Sequence, residues 1–340
     1  MFHKHAIQTE DGWRLQVLEA TSPAAPIGPP LLCIHGFSQS HLTYTSGGFA
    51  QNLAAQGIPT YTLDLRGHGG SAREYQSKPY PADFDYGWDT SSFFQYDIPA
   101  ALQLLEELHP DQPAVLCGHS MGGVLSVATT LRVPERIAGL VLLAAPLNAK
   151  NIGLHIRYAG LLAAGLHHKV PLLGKRWKTL PMRGFFKFLD GAYHKVRPGM
   201  STILPLLLRY DQKQVWPQIW HPKLTSEEVV REMLQTSYPE TMGVVKDIMR
   251  WSATGRIEIG RPQPMNYTAH FHRITQPVVA AWGERDILAL PHTGDDFLRT
   301  IRSRFQQRIV LPDTRHIDIT AGEPSITVQN AILQMYRHQF

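Results

Sequence analysis

Residues 113–126 read PAVLCGHSMGGVLS and place one serine between two glycines, where an apolar run typical of a strand gives way to a run typical of a helix. In a Gly-x-Ser-x-Gly turn the serine takes strained backbone angles, and side chains two residues before and after it would collide with neighbouring elements. Gly118 and Gly122 leave the space that such a turn needs. The turn would lift the Ser120 hydroxyl to the N-terminus of the following helix, where the N–H of Met121 and the helix dipole can stabilise a negatively charged oxygen. A helix that merely starts with small residues gives a similar pattern, so the rest of the sequence must decide between the two.

Apolar strand-like runs alternate with helix-like runs on both sides of this turn. The predicted strands cover residues 13–19, 30–34, 59–63, 114–117, 137–146, 277–283 and 308–312, and the predicted helices cover 49–57, 92–109, 121–133, 295–305 and 325–340. The first strand alternates apolar and polar residues, which is typical of an edge or half-buried strand. Pro99 predicts a kink in the second helix, or a helix that begins near Asp97. Apolar strands that alternate with helices predict an α/β fold, with a mostly parallel sheet flanked by helices.

The alternation stops between residues 147 and 270. This segment holds 18 lysines and arginines against 8 aspartates and glutamates, whereas the rest of the chain holds 15 against 20. Such a shift in charge balance marks a boundary. We therefore predict a core formed by residues 1–146 and 271–340, which a large helical cap over residues 147–270 interrupts.

Two further polar residues follow predicted strands in the order that a serine nucleophile requires. Such a serine needs a base, and the base needs an acid that orients it. Asp286 lies shortly after the strand that ends near residue 283, and His316 lies just beyond the last predicted strand. Asp313 and Asp318 could also supply the acid, but they lie too close to His316 in sequence, and Asp318 is better placed to bond the loop that carries the base. A helix cap for Asp286 and a packed loop histidine for His316 are the structural alternatives.

A second donor to the negative oxygen is expected from the loop after the strand at 30–34. Gly36 allows a close approach there, and the N–H of Phe37 would point at the substrate oxygen. His35 could in principle act as a base, but a histidine before this glycine is more often a structural residue of the loop. His68 and His119 lie beside glycines in turns, and we interpret them as structural too.

Composition narrows the class of protein further. The chain has 340 residues, of which 43% are hydrophobic and 18% are charged, as in ordinary globular proteins. No apolar run approaches the roughly 18 residues of a membrane-spanning helix, and no secretory signal is apparent at the N-terminus. Both cysteines, Cys33 and Cys117, lie in apolar runs, so we expect buried, reduced thiols in a cytoplasmic protein. The cysteines and the 17 histidines lack metal-ligand spacing, so we expect no metal and no cofactor. The basic residues match no nucleic-acid-binding motif, and nucleic acid is not an expected partner.

The chain resembles the α/β-hydrolase superfamily over nearly its whole length. The motifs that carry the resemblance are IHGF, LDLRGHGGS, GHSMGG, RVPERIAGLVLLAAP, WGERD and RHID. The resemblance implies an α/β-hydrolase fold, with Ser120, Asp286 and His316 as catalytic triad and the N–H groups of Phe37 and Met121 as oxyanion hole. The segment WDTSSFFQYDIPAALQLL is similar to the acid-lipase-like branch. The segment DIMRWSATGRI and the His-x-Asp that begins at His316 also resemble that branch and the related polyhydroxyalkanoate synthases. Those synthases carry a cysteine where this chain has Ser120, which favours hydrolysis over polymer synthesis.

The resemblance implies an esterase or lipase-like serine hydrolase of carboxylic esters, because esters are the most frequent substrates of this triad in the superfamily. The serine at position 120 also decides between relatives. It argues against dehalogenases and epoxide hydrolases, whose nucleophile is aspartate. Acyl transfer, lactone hydrolysis and carbon–carbon hydrolysis on the same triad remain alternatives. An α/β-hydrolase-fold binding protein without catalysis is an alternative of another class, although such proteins usually lack one member of the triad.

The first part of the cap combines leucines and aromatic residues with many lysines and arginines over residues 151–189. Its apolar residues indicate a pocket for a lipophilic, medium to long acyl chain. Its basic residues fit either a face that contacts anionic lipid surfaces or an ordinary solvated surface, and the sequence leaves both interpretations open.

Overall fold

The computed structural model describes residues 1–72, 87–148, 220–235, 238 and 240–340, together with the backbone of 179–180. The basic and apolar part of the cap at 151–189 lies almost wholly outside this described part, so its pocket and its lipid contact stay predictions. No helix among the described residues is long and apolar enough to cross a membrane.

An eight-stranded, mostly parallel sheet forms the centre of the described chain, which confirms the predicted fold class. Its strands are β1 (Phe2–Gln8), β2 (Arg14–Ala20), β3 (Leu31–Ile34), β4 (Thr60–Asp64), β5 (Ala114–His119), β6 (Ile137–Leu143), β11 (Val278–Gly283) and β12 (Gln306–Leu311). Two short pairs lie outside this sheet in the described residues: β7 (Thr179–Leu180) with β8 (Glu240–Thr241), and β9 (Glu258–Ile259) with β10 (Met265–Asn266). The order across the sheet is β1-β2-β4-β3-β5-β6-β11-β12. Strand β2 alone runs in the opposite direction, since it pairs antiparallel with both β1 and β4. The carboxyl ends of the other strands therefore share one edge, where open α/β sheets bind ligands.

Strand β1 was absent from the prediction. Because β1 forms the edge of the sheet, β2 is an interior strand and not an edge strand. The segment at 13–19 was expected as an edge or half-buried strand, but β2 pairs with β1 on one side and with β4 on the other. Its residues are still half-buried as a set. Strand β1 escaped notice because its exposed residues His3, Lys4 and Ala6 leave only a weak apolar pattern.

Helices cover the sheet and connect its strands. Their bounds are α1 (Leu42–Thr45), α2 (Phe49–Ala55), α3 (Thr90–Ser92), α4 (Ile98–Leu108), α5 (Met121–Arg132), α6 (Glu227–Gln235), α7 (Met242–Thr254), α8 (Asp295–Thr300), α9 (Asp318–Ala321) and α10 (Ser325–Gln339). A π-helical turn over Phe93–Asp97 joins α3 to α4, and it brings the chain into Pro99 at the start of α4, where a missing N–H costs least. The helix expected over 295–305 was too long, because the backbone turns extended at Ile301 and the N–H of Arg302 bonds the carbonyl of Ile274.

A buried ion pair joins the turn after β4 to the start of α4. Arg66 is 2% exposed and its Nε donates to Asp97 Oδ1 over 2.8 Å, while the Arg66 backbone N–H donates to the other oxygen of the same carboxylate. Asp11 binds the outer end of the guanidinium. This contact gives the Arg-Gly-His-Gly and Tyr-Asp-Ile-Pro segments a shared structural purpose.

The described end of the predicted cap packs directly on the α/β core. Val244 and Trp251 of α7 belong to the same buried cluster as the sheet residues, and the Thr241 hydroxyl donates to the carbonyl of Trp88. The hydroxyl of Thr90 donates to Asp247 Oδ2 over 2.6 Å. The boundaries of the cap at 147 and 270 stay a prediction, because 149–178 and 181–219 lie outside the described residues.

Candidate active site

Ser120 occupies the sharp turn between β5 and α5. Its backbone angles are φ 53° and ψ −119°, a combination that residues other than glycine rarely adopt. Its N–H donates to the carbonyl of Leu143 over 2.8 Å, so the neighbouring strand holds the turn in place. A Cβ at Gly118 would meet the backbone of Gly122, and a Cβ at Gly122 would meet the carbonyl oxygens that end β3. The two glycines therefore allow the strained serine, and its side chain stays half-buried.

His316 and Asp286 meet in a buried hydrogen bond at the same edge of the sheet. The Nδ1–H of His316 donates to Asp286 Oδ2 over 2.7 Å. Asp286 is fully buried and His316 is 5% exposed. The other oxygen of Asp286 accepts the N–H groups of Leu288 and Ala289 over 2.8 and 3.0 Å. These contacts fix the carboxylate, and since Nδ1 of His316 is bound, its Nε2 is the nitrogen left for proton transfer.

Two contacts hold the loop that carries His316 against the serine turn. His119, the residue before Ser120, donates its Nε2–H to the carbonyl of His316 over 3.0 Å, and the two imidazole rings lie 4.7 Å apart between centroids. Burial, and then the neighbouring His316, lower the pKa of His119 well below its ordinary value. His119 is therefore a neutral structural residue, as the sequence indicated.

Asp318 supports the same loop from its other side. One carboxylate oxygen accepts the N–H of Arg315 over 2.9 Å, as predicted for this residue. The carboxylate also accepts the Thr225 hydroxyl and the N–H of His221, both from the predicted cap. The cap and the His316 loop thus share a buried acidic anchor.

The loop after β3 passes close to Ser120. A Cβ on Gly36 would lie 3.0 Å from the Cβ of Ser120, so only a glycine allows the backbone to come this near. The N–H of Gly36 donates to Gln39 and that of Ser38 donates to Glu240, whereas the N–H of Phe37 meets no acceptor among the described residues. Met121 is the first residue of α5, so its N–H is among those that a helix leaves unbonded.

His35 and His68 are both fully buried beneath this loop. His35 donates Nδ1–H to the carbonyl of Gly36 over 2.8 Å and accepts the N–H of Leu65 at Nε2 over 3.1 Å, so its neutral form satisfies both nitrogens. Burial and the neighbouring His68 lower the pKa of His35 to about 3. Burial also opposes a charge on His68, but the carboxylate of Glu240 outweighs it and raises the pKa of His68.

Glu240 is the residue at this site that no sequence motif revealed. It lies in the predicted cap, is fully buried, and bonds both His68 and the loop after β3. Its only signal was that it is one of eight acidic residues in a segment with an excess of basic ones, which is too weak to select one position.

A known family matches the part of the chain that contains the loop after β3 and the Ser120 turn. The sequence model of the family described as serine aminopeptidase, S33, matches residues 29–198, half of the chain. The chain belongs to the S33 family of α/β-hydrolases. This S33-family chain is 29% identical over 148 residues to the monoacylglycerol lipase of Mycolicibacterium smegmatis, which is 44% of this chain and 48% of that protein. The chain spans about half the length of the curated relatives it matches.

Solved structures share the fold along almost the whole S33-family chain. An esterase from Thermogutta terrifontis superposes with a TM-score of 0.59 at 18% identity, covering 99% of this chain and 100% of that one. A monoacylglycerol lipase from Paleococcus ferrophilus superposes with a TM-score of 0.58 at 16% identity, covering 96% of this chain and 99% of that one. At these identities the likeness establishes the α/β-hydrolase fold.

Proposed function

We propose that this protein is a serine hydrolase of carboxylic esters, with Ser120 as nucleophile, His316 as base and Asp286 as orienting acid. The observation that carries the proposal is the buried 2.7 Å bond between His316 and Asp286, held beside a strained serine turn by the contact between His119 and the His316 loop. A carboxylate that fixes Nδ1–H of a histidine leaves Nε2 to accept a proton, and this is the arrangement that activates a serine.

In the proposed reaction the Ser120 oxygen attacks the ester carbonyl carbon, and its proton passes to His316 Nε2. The tetrahedral intermediate collapses as His316 gives that proton to the leaving alcohol, and an acyl-serine remains. Water then attacks the acyl-serine, again losing its proton to His316, and the carboxylic acid leaves. Asp286 keeps the imidazole in one tautomer and stabilises its charged form throughout.

The N–H groups of Phe37 and Met121 are proposed to bind the oxygen that becomes negative in each intermediate. The close approach of the Gly36 backbone to Ser120 supports this, because Phe37 is the next residue and its N–H meets no acceptor among the described residues. Each such donor lowers the barrier by about 3–4 kcal/mol.

We further propose that the acyl chain is lipophilic and of medium or greater length, and that the segment 147–270 forms the cap over it. The partial similarity to a protein named monoacylglycerol lipase supports a lipid-like ester. The leucine-rich sequence of the cap supports an apolar acyl pocket.

A chain-length series tests both parts of the proposal. The purified protein is assayed with p-nitrophenyl esters from acetate to palmitate, and kcat/KM is expected to rise from acetate to esters of medium length. A fluorophosphonate probe is expected to label the wild type at Ser120. Ser120→Ala should lose the label and lower kcat at least about 10⁴-fold.

Ser126→Ala is the matched control, because Ser126 lies on the same helix and its hydroxyl donates to a helix carbonyl. It should keep both the label and the activity. A wild-type protein that hydrolyses none of the esters and takes no label would instead indicate a binding protein without catalysis.

A further inference from the structure

Every polar group of Ser38 binds the same short segment of the predicted cap. Its N–H donates to Glu240 Oε1 over 2.6 Å, and its hydroxyl donates to the carbonyl of Tyr238 over 2.6 Å. Its carbonyl accepts the N–H of Tyr238 over 3.2 Å. Ser38 is 3% exposed and has a φ of 59°, an angle that a serine holds only when its surroundings fix it.

Glu240 also binds the core on the other side of Ser38. The same oxygen, Oε1, accepts Nε2–H of His68 over 3.0 Å, so one buried carboxylate oxygen joins the loop after β3 to the turn after β4. Its second oxygen, Oε2, is buried and has no partner among the described residues. Burying a carboxylate with one oxygen unpartnered destabilises the fold. The bonds to Ser38 and His68 are the contacts that Glu240 makes with the core at this position.

We propose that Glu240 is a positioning residue for the oxyanion hole, and that the contacts of Tyr238 and Glu240 with Ser38 complete that hole. This inference rests on the proposed function, since it takes the N–H of Phe37 as an oxyanion donor. The peptide between Phe37 and Ser38 holds the Ser38 N–H and directly follows the peptide that holds the Phe37 N–H. A change in the backbone angles at Ser38 therefore rotates the peptide next to the proposed oxyanion donor.

The effect follows from geometry. Without the Glu240 carboxylate the N–H of Ser38 loses its acceptor and its fixed direction, and the strained φ relaxes toward a common value. A displacement of about 1 Å in a catalytic group can cost a hundredfold in rate, and complete loss of one oxyanion donor costs about 100- to 1000-fold in kcat. Substrate binding in the ground state does not depend on this donor, so KM should change little.

Glu240→Ala is therefore expected to lower kcat for a p-nitrophenyl ester about 10- to 100-fold while KM stays within about threefold. The affinity for a trifluoromethyl ketone, which adds to the serine and forms an oxyanion, should fall by the same factor as kcat. Glu240→Gln should restore most of kcat, because its amide oxygen can accept from Ser38 and His68 while its NH₂ takes the place of the unpartnered oxygen.

Asp247→Ala is the matched control. Asp247 is also a buried acid of the predicted cap and binds a core hydroxyl, that of Thr90, but it does not touch the loop after β3. This variant should be less stable than the wild type and keep its kcat. Hydrogen exchange gives a readout without activity, since the amide of Ser38 should exchange faster in Glu240→Ala and at the wild-type rate in Asp247→Ala.

The outcomes separate this inference from the proposed function. An active wild type, with Glu240→Ala equal to it in kcat and in exchange at Ser38, would overturn the inference alone. A wild type with no ester hydrolysis and no fluorophosphonate label would overturn the function. If Glu240→Ala does not fold, Glu240→Asp replaces it, because the shorter side chain withdraws the carboxylate from the N–H of Ser38. An unchanged kcat with unchanged exchange at Ser38 in that variant would equally contradict the proposal.

Discussion

The backbone at the Ser120 turn packs so closely that single added atoms would collide with it. Ser120 has a φ of 53° at the junction of β5 and α5, and its N–H bond to the carbonyl of Leu143 on β6 holds it there. The glycines around it are required by contact rather than by flexibility. Their substitution should therefore act on folding first and on chemistry second.

Gly122→Ala tests this at one atom. A Cβ there would overlap the carbonyl oxygens of Ile34 and His35, which cannot move without breaking the end of β3. We expect a loss of about 3 kcal/mol or more in the free energy of unfolding, measured by urea denaturation at pH 7. Gly139→Ala is the control, since its Cβ would sit 3.4 Å from the nearest atom, the carbonyl oxygen of Pro277, and should change stability by no more than about 1 kcal/mol. Equal losses in the two variants would contradict this account.

Asp286→Asn tests the tautomer of His316. One oxygen of Asp286 accepts two backbone N–H groups, so an asparagine would keep its carbonyl there and turn its NH₂ toward His316. The imidazole would then accept at Nδ1 and carry its proton on Nε2, the wrong nitrogen for a base. We expect kcat on p-nitrophenyl esters to fall about 10⁴-fold with an unchanged fold by circular dichroism. A fall of less than about tenfold would show that Asp286 does not orient the base.

At the scale of elements, buried polar contacts join segments that the sheet alone does not order. The ion pair between Arg66 and Asp97 ties the turn after β4 to the start of α4, and Asp318 ties the cap to the His316 loop. Arg66 and Asp97 are 31 residues apart, and Asp318 lies 93 residues from Thr225 of the predicted cap. Losing one side leaves a buried partner without compensation.

Asp97→Ala should therefore cost about 3–5 kcal/mol in the free energy of unfolding, because Arg66 would keep a buried charge with only Asp11 beside it. Urea denaturation at pH 7 measures the loss. Glu106→Ala removes the exposed partner of Arg136 and should cost at most about 1 kcal/mol. If both variants lost the same small amount, the buried pair would have no special part in stability.

At the scale of the whole molecule, buried histidines couple stability to pH. The pKa of His35 is 6.5 in an ordinary environment and about 3 in the folded protein. Between these values the unfolded chain binds more protons at His35 than the folded chain does, so the free energy of unfolding falls as the pH falls. His68 acts in the opposite direction, because its pKa is raised in the fold and its contribution is lost as the pH rises.

His35→Gln isolates the first effect. Its amide oxygen can still accept the N–H of Leu65, but it cannot titrate. From pH 6.5 to 4.5 the free energy of unfolding of the wild type should fall by about 2 kcal/mol more than that of the variant, by urea denaturation at each pH. Parallel pH profiles would mean that His35 does not contribute to acid unfolding.

The sequence by itself determined the α/β fold and where the polar residues of the site lie relative to its strands. Glycines around Ser120, apolar runs of strand length and the turns that end them are local signals, each readable within about ten residues. The positions of Asp286 and His316 after their strands follow from the same local signals. Because parallel strands share one carboxyl edge, that placement was enough to expect the three residues at one edge of the sheet.

Only the tertiary structure decided which distant groups complete the site. Ser38 and Glu240 are 202 residues apart, and neither lies in a pattern that selects the other. The end of α8 at Thr300 and the pairing of β1 were decided in the same way, by hydrogen bonds to strands and loops elsewhere in the chain. A buried hydrogen bond depends on where two backbones meet in space, and periodicity within either segment carries no information about that meeting.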